Sequence, residues 1–249
     1  MASVEPARPG GVKSGLIAGV IGIAIGGAAM ALWVQGRGGT ASSEQIGERV
    51  REYLIEHPEV IPEAMQRLQE KELAGVVEAN RAAFETPYAG AWAGAKDGDV
   101  VLVEFFDYAC GFCRKSNADV ARLLSEDKKL KVVWRDWPVL GPDSEKAAQV
   151  SLAAAKAGRF HQYFERLYAL GRPNARTIDQ AAREAGVPAQ LVAQVASSGE
   201  ARAELSKNYQ LAQAVRGSGT PVFIVGDKVL HGALGYDALK QAIADARES

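Results

Sequence analysis

An α/β fold, a central sheet covered by helices on both faces, is predicted by three features of this 249-residue chain. Val100 to Phe106 is an almost unbroken apolar, β-branched and aromatic run, the composition of a strand buried on both sides. Leu130 to Trp134 alternates as a second strand after a helix-compatible stretch, so the two are expected to pair in parallel. Val222 to Val225, the turn Gly226-Asp227 and Val229 to His231 read as a hairpin that closes the sheet antiparallel.

A chain of this length holds one or two domains. Its 47% hydrophobic content and formal net charge of −1 fit an ordinary globular body. They give no sign of the basic stripe that nucleic-acid binding needs, so no nucleic-acid partner is expected. Both cysteines fall in one motif, leaving none for a disulfide framework. That economy suits an oxidising compartment, where stray thiols would be oxidised or scrambled.

From the N-terminus, residues 1–13 carry Arg8 and Lys13 without periodic pattern and are expected to be a cytoplasmic tail. Residues 14–36 contain no charge and are long enough to cross a bilayer as a helix, or to be a cleaved signal segment with Ala29-Met30-Ala31 at its cleavage site. An uncleaved inner-membrane anchor is the preferred expectation, with the bulk of the chain periplasmic. Residues 37–43 are Gly- and Ser-rich, a linker.

Residues 44–85 form an amphipathic helical stalk. Ser42 or Ser43 caps a helix bearing Ile46, Val50, Tyr53 and Leu54, and His57-Pro58 interrupts it. A second helix, about Glu59 to Phe84, carries Ile61, Met65 and Leu68 on one stripe and Leu73, Val77 and Phe84 on another. The segment is too thin for a core of its own. It needs the catalytic body, or the same segment of other subunits, as partner.

Residues 86–249 make the main domain. Asp97-Gly98-Asp99 turns into the central strand. Beyond the second strand, Trp137-Pro138 to Gly141-Pro142 is a loop, and Asp143 or Ser144 caps a helix over Ala147 to Ala157. A helical insertion at about 143–216 continues with Phe160, Tyr163, Phe164 and Leu167, then with helices starting at Thr177 and at Val187-Pro188, and ends with Leu205, Tyr209, Ala212 and Val215. These stripes are expected to be core. Gly235 to Ala246 is the last helix.

The chemistry concentrates where the central strand ends. Cys110-Gly111-Phe112-Cys113 follows it and opens a helix. Unpaired N–H groups and the dipole of a helix N-terminus favour a thiolate over a thiol. Thiol pKa values in such sites fall to roughly 3.5–7.5, against about 8.5 for an isolated cysteine. Cys110, at the helix start, is expected to be the exposed nucleophile, and Cys113, one turn in, the shielded resolving thiol. Structural zinc is the weaker alternative, because two Cys and three scattered His (His57, His161, His231) make a poor ligand set. His161 and His231 read as structural, and neither a metal nor a cofactor is expected. Strand alternation puts Glu104 on one face with Leu102 and Phe106, a costly place for a charge.

The stretch Val101 to Tyr108 followed by Cys110-Gly111-Phe112-Cys113 resembles the DsbA-like branch of the thioredoxin superfamily. Gly219-Thr220-Pro221-Val222-Phe223 is similar to that family's cis-proline loop, and the likeness covers roughly residues 87 to 247. It implies a thioredoxin-like sheet sandwiched by helices, with a helical insertion. It also implies a cis Thr220–Pro221 bond, whose proline leaves the Thr220 backbone free to pair with a substrate strand. Glu104 stands where the family places a buried acid that handles the proton of Cys113; the alternative is a carboxylate held by a lysine or hydroxyl for structure alone. Gly111 and Phe112 replace the Pro-His of DsbA itself, so no histidine stabilises the thiolate. The stalk resembles those of trimeric ScsC-type proteins, and Thr220 is shared with isomerase-like members.

The implied activity is thiol–disulfide exchange on periplasmic proteins bearing thiols or disulfides. Cys110, Cys113 and Glu104 would be catalytic, Thr220, Pro221, Gly111 and Phe112 would meet substrate, and a membrane redox partner would recharge the dithiol. One alternative is a trimeric isomerase kept reduced. Another, from a different class, is a membrane-tethered Cu(I)-binding protein.

Overall fold

In the computed structural model the described residues are 42–248, and they divide into two compact units between Glu63 and Ala64. The expected membrane or signal segment, 14–36, lies outside them. No helix among the described residues is long and apolar enough to cross a membrane.

The first unit holds α1 (Ser43–Glu56) and the opening of α2 (Val60–Glu85). Ser42 caps α1 through a capping box with Gln45, as the serine-rich approach predicts, and His57 ends it ahead of Pro58. No residue of α1 is buried, and Ile46, Val50 and Tyr53 are exposed. Ile61, Met65 and Leu68 of α2 are exposed as well, whereas Leu73, Val77 and Phe84 are buried. The two stripes read from the sequence therefore have different fates.

In the second unit the sheet comprises β1 (Trp92–Gly94), β2 (Val100–Phe106), β3 (Leu130–Asp136), β4 (Val222–Val225) and β5 (Lys228–His231), in the order β1-β3-β2-β4-β5. β2 and β3 run parallel and every other pairing is antiparallel. Gly226, at φ +60, gives the β4–β5 turn its left-handed residue. β1 was not expected; it is a three-residue edge strand, too short to leave a periodic signal.

Between β2 and β3 lies α3 (Gly111–Glu126). Five helices, α4 (Pro142–Lys156), α5 (Phe160–Leu170), α6 (Ala175–Glu184), α7 (Ala189–Ser197) and α8 (Glu200–Ala214), separate β3 from β4, and α9 (Tyr236–Glu248) ends the chain. Two local expectations need correcting. α4 starts at Pro142 with Gly141 as its cap, because proline at the first helical position needs no N–H partner; Ser144 is buried inside the helix. Tyr209 is exposed rather than core.

Strand alternation builds two cores. Leu102, Phe106, Val132, Trp134, Phe223 and Val225 face one cluster with Val120 and Leu123 of α3, Leu239 and Ile243 of α9, and the aromatic residues of α5. Val103, Phe105, Val133, Val222 and Ile224 face the other, with Leu73, Val77 and Phe84 of α2 and Leu211 of α8. Each such side chain contributes about 1.5–3 kcal/mol by leaving water. The sheet is thus covered on both sides, which holds β2 rigid behind the cysteines.

Arg135 ties the second core together. Its side chain is buried, yet Nε donates to Phe84 O at 2.9 Å, Nη2 to Thr86 O at 2.6 Å and to Ala83 O, and Nη1 to Asn208 Oδ1 at 2.9 Å. These acceptors include carbonyls left unpaired by the end of α2, so one guanidinium caps that helix against β3 and α8.

Candidate active site

β2 hands over to α3 through Asp107-Tyr108-Ala109, and Cys110 occupies the N-cap of α3 with extended backbone (φ −78, ψ 121). Its N–H donates to Asp107 O at 3.0 Å, and its carbonyl accepts the first helical bond, from Arg114 N at 3.1 Å. The Cys110 thiol donates to Thr220 O at 3.2 Å. Cys113 lies one turn in, and both thiols are free. Cys113 is fully buried, as expected. Cys110 is only 6% exposed, which corrects the expectation of an open nucleophile; the Thr220–Pro221 turn lies against its sulfur. What the motif shows to solvent is Phe112, 67% exposed, and Gly111, where a Cβ would meet nothing within 4 Å.

The Thr220–Pro221 bond is cis, and Pro221 O accepts from Gly232 N at 2.9 Å. The loop before β4 therefore faces Cys110 with the Thr220 carbonyl. Since that carbonyl receives the Cys110 thiol, the Thr220 backbone is not wholly free in this dithiol form.

Register puts Glu104 at the centre of the sheet, opposite Trp134 on β3 and Phe223 on β4. Its side chain is fully buried. Oε2 accepts from Trp134 Nε1 at 3.0 Å, and Oε1 has no partner among the described residues. Burial raises the Glu104 pKa to about 8, and the single indole hydrogen bond offsets this only in part. The structural alternative called for a lysine or hydroxyl partner; the donor present is an indole. Burial also pushes the Cys113 thiol up, with the neighbouring Glu104 carboxylate adding to it, against weaker opposing hydrogen bonds from Asp107 and Thr220. A buried acid that is held neutral by desolvation thus lies within electrostatic reach of a buried thiol, whose charge it would disfavour if ionised.

Asp107 is buried and differently supplied. Oδ1 accepts from Ala109 N at 2.8 Å, and Oδ2 from Val139 N at 2.8 Å and Leu140 N at 3.0 Å. Its carbonyl also takes Tyr168 OH at 3.2 Å. Beneath it, Tyr108 OH donates to Ser151 Oγ at 3.0 Å, and Ser151 Oγ to Asp136 Oδ2 at 3.0 Å. Burial raises the Asp136 carboxyl well above the usual carboxylate range. Rings of Phe106, Tyr108, Phe164 and Tyr168 pack edge-on or tilted around this turn, centroids 4.9–5.8 Å apart.

The structure thus gathers Cys110, Cys113, Thr220 and Pro221 beyond the end of β2, with Glu104 in the central strand within electrostatic reach of Cys113. Sequence reasoning missed Trp134, Asp107 and Tyr168, whose parts depend on register and on contacts far along the chain. His161 Nε2 lies 2.8 Å from Trp92 O, away from the cysteines. Among the described residues no group of three or more His, Cys, Asp and Glu is placed to hold a metal ion.

The DSBA-like thioredoxin domain model matches residues 101–244, and the copper resistance protein ScsC N-terminal domain model matches residues 44–74. A solved thioredoxin-like oxidoreductase from Silicibacter pomeroyi is 34% identical, with a TM-score of 0.65 over 68% of this chain and 99% of that one. Proteus mirabilis ScsC in a transitional conformation is 25% identical, with a TM-score of 0.64 over 84% of this chain and 98% of that one. Among curated proteins, the Na(+)/H(+) antiporter NhaA 3 of Salinispora tropica is 26% identical over 157 residues, 61% of this chain and 24% of the relative. The chain spans about a quarter of the length of the curated relatives it matches. With its cysteine pair at the head of α3 and a family match over more than half its length, the chain belongs to the DSBA-like thioredoxin domain family.

Proposed function

We propose that this protein exchanges disulfides with extracytoplasmic client proteins through Cys110, with Cys113 resolving the mixed disulfide. The carrying observation is the stacking of functions at one strand end: Cys110 at a helix N-cap, against the Thr220 carbonyl of a cis-proline loop, with Cys113 buried one turn deeper beside Glu104. In the oxidising direction a client thiolate attacks Cys110 Sγ and the Cys110–Cys113 bond breaks. Cys113 leaves as a thiolate and takes a proton, for which neutral Glu104 is the adjacent source. A second client thiolate then attacks the client sulfur of the mixed disulfide and releases Cys110. The client loses two electrons and the dithiol gains them. Running backwards, the same steps reduce a client.

Phe112, Val139, Leu140 and Leu234 are exposed on the segments around Cys110 and would meet an apolar client segment. Extracytoplasmic placement is supported by the uncharged segment 14–36 and by the confinement of both cysteines to one motif. In this reading residues 44–85 are the stalk and 86–249 the catalytic domain. A second reading, an assembly that shuffles wrong disulfides, is favoured by the exposed apolar side chains Ile46, Val50 and Tyr53 of α1, a face suited to copies of itself.

Equilibration of the full chain with graded reduced and oxidised glutathione tests the main reading, with a Cys110–Cys113 disulfide expected by mass. Stable glutathione adducts without that disulfide would refute it. Recovery of a scrambled substrate, and a sedimentation mass above one chain, would select the shuffling assembly.

A further inference from the structure

The loop between β3 and α4, Trp137-Pro138-Val139-Leu140-Gly141, is built in a way that leaves its shape to a residue elsewhere. Pro138 within it and Pro142 at the head of α4 donate nothing. Trp137 N donates to Phe106 O at 2.8 Å. The N–H groups of Val139 and Leu140 both go to one carboxylate oxygen, Asp107 Oδ2, at 2.8 and 3.0 Å. These three bonds hang the loop on the last two positions before the cysteine turn. Gly141, at φ +113, then lets the chain swing into α4.

The same aspartate holds the other side. Its Oδ1 takes Ala109 N at 2.8 Å, and its backbone carbonyl takes Cys110 N at 3.0 Å. Asp107 is itself buried, so its position is set by packing. The backbones at Cys110 and at Leu140 therefore each sit one hydrogen bond from a single residue. Val139 and Leu140, with their N–H groups bonded to Asp107, keep their apolar side chains exposed on a loop tied to the residue that also holds Cys110 N.

We infer that Asp107 is a positioning residue for client binding: its carboxylate fixes the Val139–Leu140 loop relative to Cys110, so that an apolar client segment meets a preformed wall as its sulfur reaches Cys110. This rests on the exchange reading above. Asp107 touches neither cysteine sulfur through its side chain, so it acts through the loop and not on the bond-making step. A small thiol that does not use the wall is indifferent to it.

Two substitutions separate the contributions. In Asp107→Ser the shorter hydroxyl can still accept from Ala109 N, the local turn that Ser shares with Asp, but it falls short of Val139 and Leu140. In Asp107→Asn one amide oxygen remains that can accept from both loop N–H groups. The test follows turnover of a reduced two-cysteine peptide flanked by Leu and Phe, with oxidised glutathione as terminal oxidant. Alongside it, oxidation of the protein dithiol by glutathione alone and amide exchange at Val139 and Leu140 are measured.

Asp107→Ser is expected to raise KM for the peptide about tenfold, the size of one lost apolar anchor, and to leave the glutathione rate within about twofold. The two amides lose protection. Asp107→Asn recovers most of both effects. An unchanged KM, unchanged amide protection, or a glutathione rate falling in parallel with peptide turnover would overturn the inference. If Asp107→Ser does not fold, Val139→Ala/Leu140→Ala, which keeps the carboxylate and every backbone bond, must raise KM alone. If the wild-type dithiol does not react with glutathione, the exchange reading fails, and the amide arm still decides whether Asp107 holds the loop.

Discussion

Glu104 in the middle of β2 and Asp107 just past its end are buried carboxyls three residues apart, supplied by the fold in opposite ways. Glu104 receives one hydrogen bond, from an indole, and keeps an oxygen without partner. Asp107 receives three, all from backbone N–H groups that belong to two separate loops. A carboxyl starved of donors in a dry core prefers to be neutral and can carry a proton. One surrounded by main-chain donors is a tie between segments, and its contribution is geometry. Burial alone does not distinguish the two; the count and origin of the donors does.

The largest effect that sharpens this contrast is on stability against pH. The Glu104 pKa is raised to about 8 in the dithiol form, against about 4.3 in an unfolded chain. Folded protein then holds a proton that unfolded chain has released between these values. The contribution of Glu104 is fully present below about pH 4.3 and is lost as pH rises towards 8. Integrated over that window the loss is roughly 5 kcal/mol. Glu104→Gln removes it, so urea unfolding should show the variant gaining on the wild type steadily from pH 4 to pH 8, with no further gain above. A constant difference across that range would mean Glu104 is ionised in the fold. A smaller effect isolates the indole. Trp134→Phe removes the only donor to Glu104 among the described residues, so the inflection should move above 8 by up to about one pH unit, since one hydrogen bond contributes about 1 kcal/mol. Movement to lower pH would reverse the assigned role.

Much of this was legible in the sequence for local reasons. The apolar run of β2, the dithiol at the head of a helix, the Gly-Asp hairpin turn and the face shared by Leu102, Glu104 and Phe106 all follow from spacing. The cis Thr220–Pro221 bond came from the family resemblance, because base rates for X-Pro bonds argue against it. What stayed hidden is carried by distance along the chain. Trp134 reaches Glu104 only once parallel register sets them opposite. Asp107 meets Val139 and Leu140 across more than thirty residues. Arg135, which follows the second strand's apolar run, is the buried cap of a helix some fifty residues earlier. The burial of Cys110 depends on a loop 110 residues away.

The central claim, that Cys110 is the sulfur bonded to client and Cys113 the one that releases it, is tested most directly by Cys113→Ala. Incubated with a disulfide-bearing client under mildly oxidising conditions, that variant should accumulate a covalent adduct mapped to Cys110 and reversed by reductant, while Cys110→Ala should give none. Absence of the adduct, or equal trapping through Cys113 in the Cys110→Ala protein, would contradict the account.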